Sequence, residues 1–361
     1  MGRPAHLLLA VSAHGYGHLA QCAPVINTLW ERDPGLRLTV LSALPRIQLA
    51  RRLAGEFDYI AVETDPVLRM RSAWEVDGPA SCRAYGEFHR QHAMLLESTC
   101  DQLRALGPDL VLANIPWVVL QAARQAGIPA VALGSLNWAA IYAAYCGTAG
   151  EHADILAWML DGYRAAGCFI VPAPALPMPE LDNCHPVGPI APPAVPRPAA
   201  LREALALPAE VRTVLVGLGG IDSRLPLENW PRIDGVVWLF PGALERQRDD
   251  FVAMTYLPMA FADMLASVDA VLTKPGYGTY AEAVCSGVAL LTLARPDWPE
   301  TGYLNDWART HGRLQEITLE QFASGNFARA LRVLWQEPLK PLPVATGVGE
   351  AVDLLTAMLA G

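Results

Sequence analysis

Lysine is almost missing: of the 27 basic residues in this 361-residue chain, only Lys274 and Lys340 are lysines. The basic residues are outnumbered by 36 acidic ones, which leaves a formal charge of −9. A general nucleic-acid binder neutralises phosphates with clustered Lys and Arg, so that class is excluded, although one small anion held by local dipoles is not. Charge of either sign is scarce, at 17% against 52% hydrophobic residues. That balance excludes a disordered chain and a coiled coil. Long apolar runs are also lacking. The uncharged stretch from Gln125 to Gly150 is interrupted by Gly127, Pro129, Ser135 and Asn137, whereas a spanning helix needs about 20 predominantly apolar residues. Two buried elements joined by a loop are expected there, and no integral membrane segment. The apolar run near Met1 is too short for a signal peptide and reads as a strand. The seven cysteines are odd in number, scattered, and contain no C-x-x-C pair. Reduced, buried thiols in a cytoplasmic protein are the expectation.

What is present is alternation. His6 to Val11, Leu36 to Leu41, Asp109 to Ala113 and Pro129 to Leu133 are short, continuously apolar runs separated by helical stretches. Such runs point to a parallel sheet covered on both faces. One long helix is expected over Cys82 to Leu106, stopped by Gly107 and Pro108. The segment from Pro172 to Pro198 is proline-rich and reads as an extended tether. The alternation then restarts with Thr213 to Leu218, Gly235 to Phe240, Asp269 to Thr273 and Val288 to Leu293. The expected architecture is α/β, with two doubly wound Rossmann-like domains facing across a cleft. Their bounds are residues 1–180 for the first domain, 181–198 for the linker and 199–340 for the second domain. A helix over 345–361 is placed to pack back on the first.

Three loops after apolar strands carry unusual chemistry. Thr273-Lys274-Pro275-Gly276-Tyr277-Gly278-Thr279 is a Gly-rich turn leading into a helix, with Glu282 three residues beyond Thr279. Glycines let main-chain amides approach a ligand, a helix start favours phosphate oxygens, and Lys274 adds a full charge. The competing reading is an ordinary turn in which Thr279 caps the helix and Glu282 completes a capping box. Gly217-Leu218-Gly219-Gly220-Ile221-Asp222-Ser223 is a second Gly-rich turn. The third, Ser12-Ala13-His14-Gly15-Tyr16-Gly17-His18, places two histidines after the first strand. The His-x-x-x-His spacing admits a metal, but Gly15 and Gly17 argue against a continuous helix there and no third ligand is evident, so no metal site is assigned. A histidine that caps the helix is the plain alternative to a general base.

The segment from Asp269 to Arg313 resembles the nucleotide-sugar signature of the GT-B glycosyltransferase superfamily, in its UDP-glycosyltransferase and MurG-like branch. It is also similar to the glycosyltransferase-like half of plant arabinokinase. The resemblance implies that Lys274, Gly276, Tyr277, Gly278 and Thr279 hold a diphosphate, with Gly219, Gly220 and Ser223 adding amides and a hydroxyl. Glu282 would bind the ribose and Tyr256 would flank the base. Glu300 and Thr301 would lie near the donor sugar, where the family has Asp and Gln. In the first domain, His18 would deprotonate the acceptor, with His14 as a neighbour. Asn114 stands where many members carry the Asp that orients this histidine.

The implied activity is transfer of a sugar from a nucleoside diphosphate, a UDP-sugar first, to a small-molecule, lipid or protein acceptor. The nucleotide sugar is a co-substrate, and neither a cofactor nor a metal is implied. A nucleotide-sugar hydrolase or epimerase of the same fold is the alternative, and a non-catalytic nucleotide-sugar-binding protein is the third reading, motivated by Asn114.

Overall fold

The computed structural model describes residues 3–219, 225–242, 244, 248–254 and 259–360. The chain divides into two compact units. Unit 1 comprises Met1–Arg71, Glu75–Ile190 and Thr346–Gly361, and unit 2 comprises Ser72–Trp74 and Ala191–Ala345.

Unit 1 runs β1 (His6–Val11), α1 (Gly17–Arg32), β2 (Arg37–Ser42), α2 (Arg46–Ala50) and β3 (Asp58–Ala61). It continues with α3 (Gly78–Arg90), α4 (His92–Leu106), β4 (Leu110–Asn114), α5 (Trp117–Ala126), β5 (Ala130–Leu133), α6 (Trp138–Cys146) and α7 (Glu151–Arg164). The strand β6 (Cys168–Pro172) and the edge strand β7 (Cys184–Val187) complete its sheet. The seven strands lie in the order β3-β2-β1-β4-β5-β6-β7. All pairings are parallel. Every residue of β1, β4 and β5 is buried, which is why these strands lack the polar alternation of a one-faced sheet.

Unit 2 follows the same plan with α8 (Pro198–Ala204), β8 (Arg212–Gly217), β9 (Val236–Phe240), β10 (Phe251–Ala253) and α9 (Phe261–Leu265). Then come β11 (Ala270–Thr273), α10 (Tyr277–Cys285), β12 (Ala289–Leu293), α11 (Thr301–His311), β13 (Leu314–Ile317), α12 (Leu319–Ser324) and α13 (Ala328–Gln336). Its six strands are parallel in the order β10-β9-β8-β11-β12-β13. One face of this sheet packs Trp230, Trp238, Phe322 and Phe327, and the other packs Leu215, Leu265, Tyr280 and Leu304. The last helix, α14 (Gly347–Ala360), belongs to unit 1. It buries Val348, Ala351, Val352 and Leu355, and Arg32 of α1 reaches Asp353. Glycine is required where it docks: a Cβ on Gly347 would stand 2.0 Å from the Gly188 carbonyl oxygen.

Three expectations are corrected. The helix expected over Cys82 to Leu106 starts earlier and is broken at Gln91, giving α3 and α4. Asp77 caps α3 by accepting from the Ala80 amide at 3.0 Å, just ahead of Pro79, a start signal that outweighs the later apolar pattern. The segment read as a tether contains β7, with Pro186 inside it. An edge strand pairs on one side only, so it tolerates a proline that a central strand would not. Finally, Cys82 and Cys146 form a disulfide that joins α3 to α6. A sequence separation of 64 residues gives no spacing signal for it. Cys22, Cys100, Cys168, Cys184 and Cys285 are thiols. Among the described residues no helix is long and apolar enough to cross a membrane.

Candidate functional site

In unit 1 the chemistry gathers at the carboxyl ends of β1 and β4, which are adjacent, with Val11 level with Asn114. The chain leaves β1 through Ser12, turns at Gly15 with φ +68°, and enters α1 at Tyr16, whose own side chain makes no cap bond. His18 lies inside the first turn of α1 rather than at its cap, which is Tyr16. His18, the second residue of α1, is buried, and its Nδ1 lies 2.7 Å from Asn114 Oδ1. The Asn114 amide donates to Gln21 Oε1 at 3.1 Å, and Gln21 donates to Ser135 Oγ at 2.9 Å. These donors run in one direction, so the oxygen of Asn114 must face the imidazole and Nδ1 must carry the proton. Nε2 is left as the basic nitrogen. Burial lowers the His18 pKa to about 4, partly offset by the bond to Asn114, so the ring is neutral at physiological pH. Both His18 and His14 rest against the Trp138 indole, with centroids 5.2 and 5.4 Å away.

Asp65, which no motif had marked, is joined to the Trp138 indole through Ser12. Burial raises its carboxyl to about 7 from an ordinary 3.8, against hydrogen bonds from Ser12, Thr64 and Trp138. A raised acid stabilises the fold fully below its unfolded pKa, and that contribution is lost as pH rises through the folded value. Asp65→Asn is therefore expected to stabilise unit 1 by about 2–4 kcal/mol at pH 8 and to change little at pH 4, since one pKa unit corresponds to about 1.4 kcal/mol. Urea unfolding at the two pH values measures this, and equal shifts at both would contradict it.

In unit 2 the corresponding place is the carboxyl ends of the central strands β8 and β11. Thr273 Oγ1 donates to the Gly217 carbonyl at 2.7 Å and ties the two strand ends together. Gly219 has φ +88°, and a Cβ there would lie 3.4 Å from Lys274 Cε and 3.8 Å from Nζ. Glycine thus serves both the left-handed turn and the approach of the ammonium group. Burial lowers the Lys274 pKa to about 8; nearby Arg295 adds to this, and Glu300 opposes it.

The helix cap of α10 is Gly276, which has no side chain to cap it. Thr279 sits inside the first turn, so the capping-box reading of Thr279 and Glu282 is ruled out. The amides of Tyr277, Gly278 and Thr279 belong to the helix end that lacks intrahelical acceptors and carries positive potential. Glu282 is buried farther along the same helix.

The loop after β12 brings in a second cation. Arg295 is buried, with its guanidinium 4.3 Å from the Trp298 ring centre. Its carbonyl accepts from the Thr301 hydroxyl at 2.8 Å, so the structure commits Thr301 to shaping this loop. Glu300 is buried and accepts from the Trp298 indole at 3.4 Å. The Tyr280 hydroxyl lies 2.7 Å from both Thr292 Oγ1 and Asn305 Oδ1, and Asn305 donates to Glu316 at 2.6 Å. This polar seam fixes α10 and α11 to the sheet that presents the turn.

The structure brings Gly219, Lys274, Gly276, Tyr277, Gly278, Thr279, Glu282, Glu300 and Thr301 to one end of the unit 2 sheet, and His14, His18 and Asn114 to one end of the unit 1 sheet. Gly220, Ser223 and Tyr256 lie outside the described residues. Sequence reasoning missed Asp65 and Trp138, and left Ser12, Gln21 and Arg295 without a role. Ser12 lies within a quoted loop, Gln21 just beyond the same loop, and Arg295 inside the segment from Asp269 to Arg313, and that was the available signal. Asp65 and Trp138 had none. Among the described residues, no group of three or more His, Cys, Asp or Glu side chains is placed to hold a metal ion.

No protein-family model matches the chain. It is 27% identical over 319 residues to L-arabinokinase of Arabidopsis thaliana, covering 83% of this chain and 29% of that protein. The chain thus spans less than a third of that relative's length. Among solved structures, it is similar over 99% of both chains to the calicheamicin glycosyltransferase CalG4, with a TM-score of 0.67 and 17% identity. It is also similar to UGT89C1 of Arabidopsis thaliana complexed with UDP, covering 99% of this chain and all of that one, with a TM-score of 0.57 and 16% identity. A third similar structure is the glycosyltransferase VinC in complex with dTDP, covering 99% and 95% of the two chains, with a TM-score of 0.57 and 17% identity. With its two parallel α/β sheets of seven and six strands, the chain has the GT-B fold of these glycosyltransferases.

Proposed function

We propose that the chain is a glycosyltransferase that moves a sugar from a nucleoside diphosphate to an acceptor hydroxyl or amine without a metal. The observation that carries this reading is the turn from Lys274 to Thr279. There an ammonium group, a glycine facing it and an uncapped helix start converge at the end of the central strands. That combination suits a diphosphate.

Unit 2 holds the donor. Lys274 and the amides of Gly276, Tyr277, Gly278 and Thr279 bind the diphosphate, Glu282 accepts from the ribose hydroxyls, and Glu300 accepts from the sugar. Unit 1 holds the base. In the transfer the acceptor oxygen forms a bond to the anomeric carbon as its proton passes to His18 Nε2. The bond from that carbon to the diphosphate oxygen breaks, and its electron pair leaves with the diphosphate. The positive groups of the turn balance the charge that develops on the leaving group.

A panel of nucleotide sugars, screened by thermal shift and then with cell-extract acceptors by mass spectrometry, tests the reading. A chain that responds to no nucleoside diphosphate contradicts it. The neighbour structures are complexed with UDP and dTDP, which differ at the 2′-hydroxyl and at the base 5-methyl group, and the effect of Glu282 is read as the difference between its two losses. Glu282→Ala is expected to weaken UDP binding roughly tenfold or more, the scale of a hydrogen bond to a charged group, and to affect dTDP less. Equal losses for both nucleotides would return Glu282 to a packing role. A second reading, hydrolysis or epimerisation of the nucleotide sugar, is favoured by the neutral Asn114 beside His18. Release of free sugar without acceptor at a rate matching transfer would select hydrolysis.

A further inference from the structure

The proposed reaction leaves one charge unbalanced. On taking a proton, His18 becomes a buried cation, and the group at its Nδ1 is the neutral amide of Asn114. A buried carboxyl group that no step has used lies nearby. Asp65 is 1% exposed. The Ser12 hydroxyl donates to its Oδ2, and Thr64 Oγ1 lies 3.2 Å from its Oδ1. Ser12 Oγ itself accepts from Trp138 Nε1 at 3.0 Å and from the Ile115 amide at 3.2 Å. A hydroxyl has one proton and two lone pairs, so with both pairs taken its proton is committed to Asp65.

The indole anchored in this way is the surface on which His18 and His14 rest. Ser12 and Trp138 are fully buried, so the carboxyl and the imidazole are separated by packed side chains, where charges are weakly screened. From other elements, Asp65 faces Tyr85 of α3 and Tyr163 of α7, and on its own segment it faces Glu63. None of these carries a positive charge. His18 faces Asn114 and Trp138.

We propose that Asp65 is the counter-charge of the His18 base, a positioning residue that acts across the Trp138 indole and takes the part Asn114 cannot play. This rests on His18 being the base of the proposed transfer. Because burial raises Asp65 to about 7, the counter-charge is present on the alkaline side of neutrality and is lost on the acid side. The rate should follow Asp65 there, since His18 itself titrates lower.

The test is a pH titration of 15N-histidine-labelled protein by NMR, alongside kcat over the same range. The His18 signals are identified by their loss in His18→Gln. In the wild-type chain the His18 ring nitrogens should show an inflection near pH 7, and kcat should rise several-fold between pH 6 and 8. Asp65→Asn keeps an acceptor for Ser12 and offers a donor to Thr64; it should abolish the inflection and leave a lower, pH-flat kcat. The wild-type inflection needs no variant to fold. A His18 signal indifferent to pH across neutrality, or an inflection that persists in Asp65→Asn, overturns the pairing. An inflection without transfer from any nucleotide sugar leaves the pairing standing and removes the transferase reading. Transfer without an inflection removes the pairing alone.

Discussion

His18→Ala is expected to lower kcat by roughly 10²-fold or more while leaving the affinity for UDP unchanged, because proton transfer by a positioned base contributes on that scale. The expectation is specific to this histidine. The hydrogen bonds from Asn114 through Gln21 to Ser135 fix its tautomer, with Nδ1–H toward Asn114 and Nε2 as the basic nitrogen. Gln21 lies three residues after His18, on the same face of α1. Gln21→Ala should therefore reduce kcat less than His18→Ala, by releasing Asn114 rather than removing the base. Steady-state rates paired with isothermal titration of UDP separate the two effects. If His18→Ala turns over a nucleotide sugar at the wild-type rate, the base is elsewhere or absent.

Lys274→Ala should weaken UDP binding by roughly 10²-fold, since losing one partner of a buried, charge-assisted contact costs several kcal/mol. The pH dependence gives the expectation its sign. Burial and Arg295 lower the Lys274 pKa to about 8, so the ammonium is charged below that value and neutral above it. The wild-type affinity for UDP should therefore fall from pH 7 to pH 9, and the variant should lose that dependence. The bound diphosphate raises the lysine pKa, so binding near pH 8 should take up protons. Calorimetry in buffers of different ionisation enthalpy measures that uptake. If wild type and variant show the same pH slope, the charge acts elsewhere.

The fold was legible where burial is two-sided. β1, β4, β11 and β12 are continuously apolar because helices cover both faces of their sheets, and the sequence shows such strands directly. Legibility faded at the edges. β7 carries His185 and Pro186 and pairs on one side only, so neither propensity nor pattern marked it. The Cys82–Cys146 bond depends on α3 meeting α6, a tertiary fact. The site divides in the same way. Turns that feed helices announce themselves by glycine, and this exposed Lys274, Gly276 and His18. The buried groups packed around them do not. Asp65 and Trp138 stand in ordinary sequence and gain meaning only through Ser12, which touches both.

Helix α14 is the final piece of unit 1, although most of unit 2 is strung between it and the rest of that unit. In chain order, the second sheet is an insertion within the first unit. As the chain emerges from the ribosome, unit 2 has all its strands before unit 1 acquires the helix that lies against α1. Unit 1 must therefore wait, incomplete at one face, for α14. Completion of unit 1 is thus tied to synthesis past unit 2: a chain cut short before Gly347 would carry all the strands of the second sheet and a first unit with an uncovered flank.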